Sequence, residues 1–293
     1  MIEINRELVS RLINKQFPEW SILPIEPVVK NGNDNRTFHL GNEMSVRLPS
    51  RECYVPQVEK ELFWLPKLRP YLSLPISEPI AKGEPAEGYP WVWSVNKWLE
   101  GETVSYHNIS SLNQFAIDLA GFLKELQAIN SSNGPIAGKH NFFRGGSLSV
   151  YNEETRTAIE SLQSILEPEV LTEIWNAALQ SEWQKKPVWV HGDIASGNLL
   201  VNEGKLCGVI DFGILGIGDP VCDLTMAWTF FDEESRKTFM DSMGLDKNTW
   251  NRARGWALWK ALITFDALEK DSIIAVDAKR IIDTIEKDYQ QTK

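Results

Sequence analysis

The residues best suited to chemistry in this chain fall in one stretch. Val188-Trp189-Val190-His191-Gly192-Asp193 is followed by Asn198, five residues past the aspartate, and then by a second aspartate in Val209-Ile210-Asp211-Phe212-Gly213. An apolar segment leads into each aspartate. A carboxylate at Asp193 can orient a hydroxyl and take its proton. The Asn198 amide and the Asp211 carboxylate offer the oxygen ligands that a hard cation prefers. Moving a γ-phosphoryl group asks little covalent work of a protein, so the main tasks are positioning the acceptor hydroxyl and neutralising charge with magnesium. The spacing therefore predicts Asp193 as catalytic base or orienter, with Asn198 and Asp211 as Mg²⁺ ligands.

Each residue has a plainer reading on its own. An aspartate in a loop commonly caps a helix, Asn-Leu-Leu-Val is ordinary strand-entry sequence, and Asp-Phe-Gly fits a hairpin turn. Together the residues read differently. Seven specified positions at roughly 5% usage each, over about 300 starting points and with some freedom in spacing, arise by chance on the order of once in 10⁵ chains.

His191-Gly192-Asp193-x4-Asn198 followed by Ile210-Asp211-Phe212-Gly213 resembles the aminoglycoside and macrolide phosphotransferase superfamily, which shares the fold of eukaryotic protein kinases. Protein kinases read His-Arg-Asp here, whereas His-Gly-Asp is similar to the small-molecule branch. Gly218-Asp219-Pro220-x2-Asp223-Leu224 resembles the segment after the metal-binding aspartate in that branch. The resemblance implies an α+β, two-lobed, protein-kinase-like fold: a nucleotide lobe over residues 1–98 with a small antiparallel sheet, and a mostly helical substrate lobe over 99–293. It implies transfer of the γ-phosphoryl of ATP or GTP to a hydroxyl of a small molecule. An aminoglycoside or macrolide leads as acceptor, with a choline-, homoserine- or sugar-amine-like metabolite as the alternative. A nucleotide-binding pseudokinase is disfavoured by the joint presence of Asp193, Asn198 and Asp211. A protein kinase is disfavoured by the lack of an Ala-Pro-Glu segment.

The resemblance also assigns residues upstream. The kinase pattern places a phosphate-contacting lysine on the third strand, paired with a glutamate on the next helix. Met44-Ser45-Val46-Arg47 puts arginine there, a departure similar to the macrolide branch, and arginine grips phosphate with a fixed fork. Glu61 is the expected partner, Glu59 competes from the same helix, and a surface ion pair is the plainer alternative. Asn31-Gly32-Asn33-Asp34-Asn35 stands where a phosphate-covering loop belongs, with Asn33 and Asn35 as candidate nucleotide contacts, although it is neither a Walker motif nor GxGxxG and also reads as a hairpin turn. Backbone groups of Asn96, Trp98 and Leu99 are candidates for the adenine edge. His191 is expected to steady its loop rather than exchange protons, and Asp219 and Asp223 to brace loops and cap helices.

These residues need elements to hold them. Leu8, Leu12, Ile13 and Phe17 at helical spacing predict an opening helix over about 4–17. Short β-rich segments at 26–30, 37–40 and 44–48, separated by turn formers, predict three antiparallel strands. Helical spacing returns over 54–68. Tyr89 to Gly101 reads as an aromatic strand and linker. Leu112, Phe115, Leu119, Phe122, Leu123 and Leu126 form a helix stripe, Glu153 to Trp183 is expected to be helical, and helices carrying Trp228, Trp250, Trp256 and Trp259 close the chain. Most of the 12 tryptophans are expected in the core.

Composition sets outer limits. Thirty basic against 40 acidic residues give a net charge of −10, which argues against a nucleic-acid partner. It is compatible with a cationic acceptor or with a merely solvated acidic surface. Cys53, Cys207 and Cys222 are widely spaced and indicate neither a disulfide framework nor a zinc site. With no signal-peptide core and no apolar run of membrane length, no membrane partner is expected and a cytoplasmic location is.

Overall fold

The computed structural model describes residues 2–29, 32 and 34–292. In chain order the elements are α1 (Arg6–Gln16), β1 (Ile25–Pro27), β2 (Asn35–Leu40), β3 (Met44–Pro49), α2 (Val55–Leu68), β4 (Pro79–Gly83), β5 (Trp93–Lys97) and β6 (Glu102–Thr103). There follow α3 (Leu112–Ala128), α4 (Asn152–Ser161), α5 (Pro168–Leu179), β7 (Val188–Val190), β8 (Leu199–Asn202), β9 (Lys205–Val209) and β10 (Gly216–Gly218). The chain ends with α6 (Met226–Thr229), α7 (Glu233–Met243), α8 (Lys247–Ala267) and α9 (Ile273–Thr292). Two compact units result, Met1–Val104 with Asn198–Ile214, and Ser105–Gly197 with Leu215–Lys293. The first unit runs past the cut expected between residues 98 and 99, to Val104, and also takes in Asn198–Ile214 from the stretch expected in the helical lobe. The β8–β9 hairpin belongs to the first unit because Glu102 and Thr103 of β6 pair with Val201 and Leu200 of β8.

The first unit is built on a five-stranded antiparallel sheet in the order β1-β2-β3-β5-β4. Strand alternation gives it two chemically distinct faces. Phe38, Leu40, Val46, Leu48, Trp93 and Val95 point to one side and pack with Leu8, Val9, Leu12 and Ile13 of α1. Asn5 caps that helix by accepting from the Leu8 N–H at 3.0 Å. The register Thr37↔Arg47↔Ser94 and His39↔Ser45↔Asn96 assembles the other face from polar groups. Helix α2 buries Val58, Leu65 and Leu68, and on the same side Gln57 and Glu61. A buried acid on an apolar helix face needs a partner.

The second unit is mostly helical. Helix α3 packs on α7, and α8 packs on α5 and α9. The helical stretch expected over 153–183 is interrupted at Leu162–Glu167, and Pro168 opens α5, where its missing N–H costs nothing. Trp175, Trp189 and Trp228 are fully buried, as the core reading of the tryptophans expects. Strands β7 and β10 pair antiparallel, Gly216↔Val190 to Gly218↔Val188. Gly218 is required there, since a Cβ would come within 2.0 Å of the Gly145 carbonyl oxygen. Among the described residues no helix is long and apolar enough to cross a membrane.

Candidate active site

In the first unit the polar sheet face holds a charge network. Arg47 Nη1 donates to Glu61 Oε2 at 2.8 Å, and Arg47 Nη2 donates to Asp211 Oδ1 at 3.2 Å. The second Glu61 oxygen accepts the Phe212 backbone N–H at 2.9 Å. One glutamate thus fastens the arginine of β3 and the backbone that follows Asp211. Glu61 rather than Glu59 is the partner, because Glu59 lies on the exposed side of α2. This is no surface pair: the Glu61 side chain is 3% exposed. Burial opposes the Arg47 charge, but Glu61 and Asp211 outweigh it and keep the guanidinium protonated. Burial likewise pushes the Glu61 carboxyl up, with Arg47 pulling the other way.

Asp211 sits at φ +66°, an unusual conformation for a residue with a side chain, although aspartate tolerates it better than most. Its side chain remains 45% exposed. The Ile210 N–H donates to the Asn198 carbonyl oxygen at 2.9 Å, so the two expected magnesium ligands are adjacent in the fold. Magnesium usually takes one or two protein ligands and completes its shell with phosphates and water, so an amide and a half-exposed carboxylate suit it. Asp211 also has a competing partner in Arg47. Among the described residues no group of three or more His, Cys, Asp or Glu is gathered for a metal.

The same face carries buried polar atoms with no hydrogen-bond partner: Asn35 Oδ1, Ser94 Oγ and both amide atoms of Asn96. A buried unsatisfied group costs about 1–3 kcal/mol, so such groups persist where something else satisfies them. Asn35 opens β2 instead of lying in a turn, and Asn33 and Asn31 lie outside the described residues. Asn96 is internal to β5, between β3 and β4, so the group it offers is its side chain. Trp98 already donates its N–H to the Glu43 carbonyl at 2.7 Å, and its ring lies 4.2 Å from that of His39. Leu99 packs on Gly208, where a Cβ would approach its Cδ1 to 3.3 Å. That contact is made by the Leu99 side chain, so its backbone groups and the Trp98 carbonyl remain candidates for the adenine edge.

In the second unit the loop after β7 is held from behind. The buried Asp223 carboxylate accepts the N–H groups of His191 at 2.7 Å and Gly192 at 2.8 Å. Burial pushes this carboxyl up, while the nearby His191 and the two N–H groups resist. His191 Nδ1 accepts the Asp193 N–H at 3.1 Å, so this ring supports the loop rather than the reaction. Gly192 takes φ +89°, which turns the chain so that Asp193 is exposed. Asp219 caps the following turn through the Val221 N–H and pairs with Arg252 at 2.7 Å. Asp193 lines a pocket of about 290 Å³ together with Arg144, Trp256, Lys260, Phe230 and Asp277. None of these five neighbours was singled out as a site residue in the sequence. Arg144 followed by Gly145-Gly146 is the one local signal that could have drawn notice.

A family model described as the phosphotransferase enzyme family matches residues 27–256. The chain belongs to that family. An aminoglycoside 3'-phosphotransferase of Escherichia coli is 38% identical over 68 residues, which is 22% of this chain and 25% of that protein. The chain therefore matches about a quarter of the length of that curated relative. Among solved structures, the GDP complex of aminoglycoside 2'-phosphotransferase-IIIa superposes with a TM-score of 0.71 at 18% identity, covering 98% of this chain and 100% of that one. The macrolide 2'-phosphotransferase MphH of Brachybacterium faecium gives 0.60 at 17% identity, covering 95% and 97%. At these identities the likeness shows the fold, which is the expected kinase-like α+β architecture.

Proposed function

We propose that this protein transfers the γ-phosphoryl group of ATP or GTP to a hydroxyl of a small molecule, with magnesium. The observation that carries this reading is the Arg47–Glu61 pair tied to Asp211 and the Phe212 N–H, beside neutral polar atoms that lack partners. A preorganised cation next to a magnesium-type carboxylate suits a triphosphate, because charge stabilisation dominates phosphoryl transfer. Arg47 would grip phosphates, Glu61 would aim it, and Asn198 and Asp211 would hold the metal. Asn35, the Asn96 side chain and the backbone groups left to Trp98 and Leu99 are the remaining nucleotide contacts proposed. When bound, magnesium neutralises phosphate charge. The acceptor oxygen forms the new O–P bond, its proton passes to the Asp193 carboxylate, and the bond from the bridging oxygen to the γ-phosphorus breaks. The nucleoside diphosphate leaves with that electron pair.

The GDP complex of an aminoglycoside phosphotransferase among the similar structures supports a nucleotide donor. The aminoglycoside and macrolide enzymes make a hydroxyl-bearing antibiotic one acceptor to test and a small metabolite the other. The test is release of nucleoside diphosphate from ATP and GTP, with and without magnesium, across an acceptor panel. Acceptor-dependent, magnesium-dependent release that disappears in Asp193→Asn supports the assignment. Acceptor-independent binding without any release would leave a nucleotide-binding scaffold instead.

A further inference from the structure

The pocket in front of Asp193 sets two cations, Arg144 and Lys260, beside that carboxylate. The Arg144 guanidinium lies 5.1 Å from the ring of Trp256 and 5.6 Å from that of Trp259, with its Nε and Nη1 buried and without hydrogen-bond partners. Lys260 lines the same pocket. No ion pair among the described residues involves either cation. The other acid on the wall, Asp277, is already paired with Arg280 at 2.8 Å. Glu154, which faces Lys260 from α4, accepts the Trp259 indole N–H at 2.7 Å. Crowding by protein and then the Arg144 charge hold the Lys260 ammonium below its ordinary range, with Asp193 and Glu154 opposing. Arg144 is half-buried and has the Tyr151 hydroxyl beside it, but buried guanidinium N–H groups left idle at Nε and Nη1 are costly unless an anion meets them. The pocket is also small: about 290 Å³ stands at the lower edge of the ~300–1,000 Å³ typical of small-molecule sites.

We infer that the acceptor is a small hydroxyl-bearing molecule with an anionic group, a carboxylate or a phosphate ester, held by Arg144 and Lys260 with its hydroxyl toward Asp193. This rests on the phosphotransferase reading only for the role of the hydroxyl. The anion site itself stands on the pocket. The chain's net charge of −10 does not contradict it, because a ligand meets the local field of the pocket.

The test measures binding to the whole protein by calorimetry and tryptophan fluorescence. D-glycerate and related hydroxy acids form one arm and glycerol 3-phosphate with sugar phosphates the other, against kanamycin and erythromycin. Phosphate transfer to each compound is followed in parallel. The expected result is binding in one anionic arm, weakened about tenfold or more by Arg144→Gln and by Lys260→Gln, partly retained in Arg144→Lys, with the KM for nucleotide unchanged. Lys260 is exposed, so its variant keeps the test decisive even if Arg144→Gln folds poorly. Whichever arm binds names the anion. Failure of both anionic arms to bind, or binding indifferent to both substitutions, overturns the inference, and transfer to kanamycin in that case leaves the phosphotransferase reading intact. Arg144-dependent anion binding with no transfer to any acceptor sustains the inference and sinks the transferase reading instead.

Discussion

The polar face of the first unit and the pocket of the second treat charge in opposite ways. On the sheet face, Arg47 spends its fork on two carboxylates of its own unit, and the atoms left over are neutral amides and a hydroxyl. In the Asp193 pocket, no ion pair among the described residues involves Arg144 or Lys260, and Arg144 lies against the rings of Trp256 and Trp259 with the Tyr151 hydroxyl beside it. A site whose charges close on themselves is preorganised and tolerates one shape of ligand. A site with idle cations selects ligands by charge. The difference teaches where to look for the donor and where for the acceptor.

The largest effect expected is on chemistry in the pocket. Asp193→Asn keeps the side chain's shape and removes the carboxylate, so turnover should fall by roughly 10² to 10⁴ with nucleotide affinity unchanged. Near-normal turnover in steady-state assays would remove Asp193 as the base and leave the pocket a binding site only.

The closed network should behave as a unit. Glu61→Ala leaves the Arg47 guanidinium with Asp211 alone and frees the buried Phe212 N–H, so we expect a loss of about 3 kcal/mol in denaturant unfolding together with a raised nucleotide KM. Arg47→Ala should raise the same KM, and the double variant should be strongly non-additive. Additive, kinetically silent losses would reduce the pair to a structural device and blur the contrast with the second unit.

The neutral atoms give a sharper test, since stability and binding should part company. Ser94→Ala with Asn96→Val removes buried polar atoms that have no partner, so the fold should be unchanged or stabilised by about 1 kcal/mol while nucleotide affinity drops. Loss of stability without loss of affinity would mean that these side chains serve the sheet alone.

The smallest effect concerns two helix caps in the second unit. The Ser235 N–H holds Asp232 below the usual aspartate range, and the Thr249 N–H does the same for Asp246. A carboxyl depressed in the folded state adds stability above its unfolded pKa of about 3.9 and loses it as pH falls further. Melting temperature should therefore decline below about pH 4, and Asp246→Asn should flatten that decline at a cost of well under about 1 kcal/mol at neutral pH. An unaltered acid limb in the variant would assign the decline to other groups.

Much of the first unit could be read along the chain because its signals are local. Alternation marks Val46 and Leu48 as inward and Arg47 as outward, and helical spacing puts Glu61 between Val58 and Leu65 on the buried side of α2. Local chemistry was less informative where a residue belongs to two patterns at once. Asn35 looks like turn sequence yet opens β2, and Trp98 looks like a free linker donor yet gives its N–H to Glu43.

The sequence by itself determined the motif His191-Gly192-Asp193 with Asn198 and Asp211, the helix and strand periodicities, and through them the family and the fold. These depend on neighbours within a few residues, where spacing is set by backbone geometry. Tertiary structure alone decided that Arg47 also reaches Asp211, that Asp223 clamps the N–H groups of His191 and Gly192 from 32 and 31 residues away, and that Arg144 and Lys260 share a pocket with Asp193. The physical reason is burial. Which charges lose water and which carboxylates are close enough to compensate them depends on segments far apart in the chain, and only packing brings those segments together.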